Sequence, residues 1–150
     1  MRIFHGIVDL ATAVGDHLGH SKWHTITQEQ IDQFADATGD HQWIHVDTAQ
    51  AQQGPFGSTI AHGYLTLSML PMLVWEVYRI EGVEMTVNYG VNKVRFPAPV
   101  PVGSRIRAGV ELVSLDRNDA HAQAVVRVTV ERHGHDKPVC VAETLSRLAL

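Results

Sequence analysis

One stretch limits the fold more than any other. From Tyr64 to Trp75 the chain carries Leu65, Leu67, Met69, Leu70, Met72, Leu73, Val74 and Trp75, which at helical spacing fall on every side of a cylinder. A helix apolar all round has to be enclosed. The run is about twelve residues long and is interrupted by Thr66, Ser68 and Pro71, whereas a spanning helix takes about 20 apolar residues. Protein, not lipid, is therefore expected to enclose it, and no membrane is expected as a partner. Pro71 predicts a kink or a division within the segment, which extends from about His62 to Arg79.

The second half of the chain supplies the enclosure. Thr86–Phe96 has strand character, with Gly90 as a bulge position. Arg105–Leu115 alternates, placing Ile106, Ala108, Val110 and Leu112 on one face. Ala122–Glu131 alternates again through Ala124, Val126, Val128 and Val130, and Val139–Leu148 forms the last strand. Turns are expected at 97–103, 116–119 and 132–137. In the first half, residues 7–14 form a short helix and Lys22–Ile26 a short strand. Thr27 and Gln30 make a capping box for a helix whose face is Ile31, Phe34, Ala35 and Thr38 and whose stop is Gly39. Residues 40–47 form a loop, and Asp47-Thr48 caps a short helix ending at Gly54-Pro55. Helices first and strands afterwards predict an α+β domain: a curved antiparallel sheet wrapped around a long apolar central helix.

At 150 residues the chain fits one domain, 1–150. A net charge of −4 excludes a strongly basic face, so no nucleic acid is expected. Cys140 is the single cysteine, which rules out an internal disulfide and any cysteine-based zinc site and points to a reducing, cytoplasmic setting. It sits in an alternating strand as a small buried hydrophobe. His5 and Asp9 break up any apolar leader at the N-terminus. Ten histidines are the unusual count, so their positions matter. His5, His17, His20 and His24 read as a solvated cluster. His41 and His45 are four apart, but in a non-helical loop that spacing does not put them on one face, and no metal is expected.

The chemistry concentrates in Gly39-Asp40-His41-Gln42-Trp43-Ile44-His45-Val46-Asp47, followed later by Ala61-His62-Gly63 at the head of the buried helix. Gly39, Asp40, His45 and Asp47 match the hydratase signature of the MaoC-like dehydratases, the (R)-specific enoyl-CoA hydratases of the hot-dog fold. Val94-Arg95-Phe96-Pro97-Ala98-Pro99-Val100 matches that family's strand-to-loop turn. The chain resembles the family over about residues 20–148, and most of all its short nodulation-protein-N-like and mycobacterial members. It departs at Gln42-Trp43, where the family usually has Asn-Pro.

The resemblance implies a hot-dog fold, a homodimer and an acyl-CoA thioester substrate, with no cofactor beyond the coenzyme A of the substrate itself. It implies that Asp40 and His45 hold and activate a water and that the Gly63 backbone N–H is the oxyanion donor. Those assignments meet the chemical need of hydrating a conjugated thioester, which takes a base and stabilisation of an enolate. His62, Lys93 and Arg95 are candidate substrate-binding residues, the last two for coenzyme A phosphates, with a packed or capping role as the alternative for His62 and a solvated strand edge as that for Lys93 and Arg95. Asp47 is read as a helix cap. Three alternatives stay open. An acyl-CoA thioesterase on the same fold is disfavoured because the central helix bears no acid before Glu76. A non-catalytic thioester-binding subunit is disfavoured by the presence of both Asp40 and His45. An acyl-carrier-protein thioester would involve the same chemistry on a different handle.

Overall fold

The computed structural model describes residues 1–150. In chain order the elements are β1 (Arg2–His5), α1 (Ile7–Ala11), β2 (His17–His20), β3 (His24–Thr25), α2 (Gln28–Thr38), α3 (Trp43–Val46), α4 (Thr48–Gln52), α5 (Gly63–Ser68) and α6 (Leu70–Val77). They continue with β4 (Tyr78–Glu81), β5 (Met85–Arg95), β6 (Arg105–Arg117), β7 (His121–Arg132) and β8 (Cys140–Ala149). Strands β2, β6, β7, β8 and β5 lie in that order in one sheet, and β3 also pairs with β6. All of its pairings are antiparallel. The sheet curves around α5 and α6, which is the hot-dog arrangement.

Periodicity places the inner face of the sheet correctly. Ile106, Ala108, Val110 and Leu112 of β6 are buried, as are Ala124, Val126, Val128 and Val130 of β7. They join Leu65, Leu70, Leu73 and Val77 of the central helices in one continuous core. Register shifts interrupt β5 between Asn88 and Gly90 and β6 between Leu112 and Ser114. Bulges of this kind increase local twist and let a sheet close around a cylinder. Cys140 is fully buried.

The central segment is divided at Met69, as Pro71 predicts, with that proline in the first turn of α6, where its missing N–H costs nothing. Three expectations need correction. The central segment is not enclosed on every side, because Tyr64 is 68% exposed and Trp75 66% exposed. The sheet wraps only part of the cylinder. Lys22–Ile26 contributes only the two-residue β3, since β6 pairs with it at His24 and Thr25 alone. The first half also donates β1, which pairs in parallel with β4 at the end of α6. That pairing joins residues far apart in sequence, and local pattern carries no trace of it. Finally, residues 43–46 of the expected loop make one helical turn, α3.

Candidate active site

The site begins at the C-terminus of α2. The Thr27 side chain accepts from Gln30 N–H, and Gln30 returns a bond to Thr27 N–H, so the capping box forms as the sequence indicates. Gly39 ends the helix in the left-handed region at φ 80°, and the chain turns into Asp40. Asp40 is exposed, and its Oδ1 accepts from Gln42 N–H at 3.3 Å. The turn of α3 then carries His45 inward to 7% exposure. Asp47 caps α4 by accepting from Gln50 N–H at 2.9 Å. The Trp43 ring lies against Gly54, where an added Cβ would come within 2.9 Å of it. The indole thus fills the space under the 40–54 segment.

His45 is tightly held. Its Nδ1–H donates to the Ile60 carbonyl at 2.7 Å, while Ile60 N–H donates to the Ile44 carbonyl at 3.0 Å. The Ile60 carbonyl can only accept, so the proton sits on Nδ1 and Nε2 remains the free nitrogen. Burial lowers the His45 pKa below the usual histidine value. The bond to Ile60 opposes that shift, the neighbouring His62 adds to it, and Asp40 counters it.

His62 precedes α5 and is 1% exposed. Its ring stacks on His45 with centroids 3.8 Å apart and planes 23° apart, and Phe34 packs near it at 4.9 Å. Its Nε2–H donates to the Asp40 carbonyl at 3.0 Å. A substrate-binding role for His62 does not suit this placement, because the ring is enclosed between His45 and Phe34 with almost no exposed surface.

The cleft itself has a volume of about 330 Å³ and is lined by Gly63, Thr66, Phe96, Pro97, Ala98 and Val100, among others. A Cβ on Gly63 would lie 2.9 Å from the Phe96 ring, so only glycine lets α5 and this ring meet. Gly63 N–H, in the first turn of α5, has no acceptor within its helix. Lys93 and Arg95 are exposed on the stretch leading to Phe96, with Lys93 at φ 48° in a second register shift of β5.

Sequence reasoning missed Gln28, the first residue of α2. Its Oε1 accepts from the buried Thr59 hydroxyl at 2.5 Å, and its Nε2–H donates to the His45 carbonyl at 2.8 Å and to Asp32 at 2.9 Å. It ties the start of α2 to both chain segments that bound the site. Nothing in the local pattern marks a polar residue in a first helical turn for that task.

Three comparisons bear on this arrangement. The MaoC like domain model matches residues 9–135. The chain belongs to the MaoC-like dehydratase family. This dehydratase is 57% identical over 148 residues to 3-hydroxyacyl-thioester dehydratase Z of Mycobacterium tuberculosis, with 98% of each chain covered. It is 40% identical to nodulation protein N of Rhizobium leguminosarum, covering 93% of this chain and 89% of that one. Among solved structures, a monoamine oxidase regulatory protein from Archaeoglobus superposes with a TM-score of 0.75 at 26% identity, covering 91% of this chain and 90% of the other. Family membership makes the chain a hydro-lyase.

In this dehydratase, one donor atom each of Asp40, His45 and His62 lies within 4.8 Å of the others. A tetrahedral ion needs ligand lone pairs that converge, and two imidazoles stacked 23° from parallel direct theirs side by side. His41 is engaged elsewhere, bonded to Asp36 at 2.9 Å. Histidines near the N-terminus are less free than their count suggests: His5 bonds to Glu81 and His24 to Glu76, each at 2.9 Å. Glu76 also accepts from Lys22 N–H. Burial pushes its carboxyl pKa up, but the bonds from His24 and Lys22 outweigh that and hold it below the usual range. The one acid of the central helices is therefore engaged in a structural tie. No helix is long and apolar enough to cross a membrane.

Proposed function

We propose that this MaoC-like dehydratase catalyses reversible syn hydration of trans-2-enoyl-CoA to (R)-3-hydroxyacyl-CoA. The observation that carries the reading is the gathering of Asp40 and His45, with donor atoms within 4.8 Å, against His62, the residue immediately before the cleft-lining Gly63. A water accepting and donating hydrogen bonds of about 2.8 Å spans roughly 4.5 Å between its partners, so a separation within 4.8 Å leaves room for a water held by both groups. In the hydration direction the water oxygen bonds to the β-carbon as its proton passes to the Asp40–His45 pair. The α,β π-bond electrons move onto the thioester oxygen, where the Gly63 N–H stabilises the enolate. The pair then returns a proton to the α-carbon on the same face, which restores the carbonyl. Nothing is oxidised or reduced, and every proton is accounted for. Because the Ile60 carbonyl fixes the His45 tautomer, Nε2 is the nitrogen that meets the water.

Lys93 and Arg95 serve the coenzyme A phosphates as exposed cations beside the cleft wall. The mycobacterial relative's name, a 3-hydroxyacyl-thioester dehydratase, supports the thioester class without choosing between coenzyme A and a carrier protein. The engaged Glu76 speaks against hydrolysis on this scaffold. The working form is a homodimer. Strand β5 is an edge eleven residues long that exposes Met85, Val87, Tyr89 and Val91, an arrangement that invites a second sheet. Light scattering on the purified chain tests that assembly, and a monomeric mass would overturn it. A cytoplasmic location accords with the lone buried thiol.

Crotonyl-CoA tests the reaction. Loss of the conjugated enoyl-thioester absorbance without thiol release, giving the (R)-alcohol on chiral analysis, is the expected result. Thiol release would replace hydration by thioester hydrolysis. Silence with coenzyme A substrates of several chain lengths, together with turnover on carrier-protein thioesters, would change the handle and leave the chemistry.

A further inference from the structure

We infer that His62 is the positioning residue of the site, acting on Asp40 through its N–H and on His45 through its ring face. The inference rests on the Asp40–His45 reading above and adds what holds those two groups at a fixed separation. Asp40 sits on an exposed turn and its carboxylate has a single contact, the 3.3 Å bond from Gln42 N–H. A general base on such a turn would wander. The His62 Nε2–H donates to the Asp40 main-chain carbonyl at 3.0 Å, which fixes the turn by its backbone and leaves the carboxylate free for water. The other face of the arrangement is the 3.8 Å stack, which blocks the His45 ring from swinging about its Nδ1–Ile60 bond. Phe34 of α2 backs the His62 ring.

Two features set this apart from ordinary core packing. A fully buried imidazole is costly unless both nitrogens are satisfied, yet His62 Nδ1 is buried without a hydrogen-bond partner. A leucine or phenylalanine would fill the volume without that penalty, so packing alone does not account for a histidine here, whereas the bond from its other nitrogen to Asp40 does. In addition, His62 is the residue immediately before Gly63. One side chain therefore ties the water-holding pair to the peptide that supplies the oxyanion donor.

The titratable groups that face the stack are Asp40, from the turn after α2, and His45, from α3. The test uses two variants that each keep half of the function. His62→Gln retains an N–H at the Nε2 position but loses the flat ring, and His62→Phe retains the ring but loses the donor. Each is compared alone and combined with Asp40→Asn, by turnover of crotonyl-CoA, KM and the pH profile of kcat/KM. Thermal unfolding checks that the variants fold. A misplacement near 1 Å costs about 10²-fold. His62→Phe should therefore lower kcat by roughly 10- to 100-fold with KM little changed, and move the acid limb of the profile. In the Asp40→Asn background the same change should cost almost nothing more, because groups acting as a unit are non-additive. Equal losses from His62→Phe in both backgrounds, or an unmoved pH profile, would overturn the inference and leave the dyad standing. Full turnover by Asp40→Asn alone would instead overturn the dyad.

Discussion

Removing the Gln28 amide separates two contributions that are usually entangled. Thr59 is fully buried, and its hydroxyl has Gln28 Oε1 as its partner at 2.5 Å. Gln28→Leu keeps the side-chain bulk and leaves that hydroxyl orphaned. An unsatisfied buried polar group costs about 1–3 kcal/mol. With an unfolding entropy near 2.1 cal/mol/K per residue, a 150-residue chain should lose about 3–10 °C in Tm. Adding Thr59→Val deletes the orphan, and replacing both partners by apolar groups of similar shape is close to neutral. The double variant should therefore recover most of the lost Tm. It should not recover turnover, because the 2.8 Å tie from Gln28 Nε2–H to the His45 carbonyl is still missing. Scanning calorimetry and crotonyl-CoA turnover on wild type, both single variants and the double variant form one cycle. A double variant as unstable as Gln28→Leu would refute the orphan-hydroxyl argument. Recovery of turnover along with Tm would show that Gln28 matters for stability alone and that the His45 tie is incidental.

Other perturbations probe the chemistry directly. Asp40→Asn and His45→Gln should each retain the fold and reduce turnover by roughly 10²–10⁴, the usual weight of a general base, as measured by enoyl absorbance. Because burial lowers the His45 pKa below 6.5, the folded state resists protonating this ring. Its contribution to stability is therefore complete above pH 6.5 and is lost as the pH falls through the lower folded value. Tm should decline over that window, and His45→Gln should flatten the decline. Prolonged dialysis against a chelator should leave turnover unchanged; activity lost and then restored by zinc would bring metal chemistry back into consideration. Burial pushes the Cys140 thiol up to about 11, so a thiol reagent should register no protein thiol in the native state and one per chain in denaturant.

The division between what pattern and what packing decide follows the range of the interactions. Alternation along β6 and β7 names their buried faces because side-chain direction in a strand has a period of two, and no distant residue can change it. The capping box at Thr27 and the stop at Gly39 are local for the same reason, and together they aim the chain at Asp40. The order Gly39-Asp40 with His45 and Asp47 could be read off the sequence, as could the separate Ala61-His62-Gly63 step. That the two segments meet could be proposed only through the family resemblance, since 22 residues separate Asp40 from the histidine that hydrogen-bonds it.

Some outcomes had no local signature at all. The parallel β1–β4 pairing, the Gln28 bridge to Thr59 and His45, and the exposed side of the central helices each depend on which surface another part of the chain happens to cover. Hydrophobic pattern states that Tyr64 and Trp75 can be buried, and only the extent of the sheet decides that within one chain they are not. His62 shows the limit most clearly. Its place beside Gly63 suggested contact with substrate, whereas the tertiary structure turned it inward beneath His45. A histidine's neighbours in sequence fix where its Cα lies, but hydrogen-bond partners and ring contacts brought from elsewhere fix which way it points.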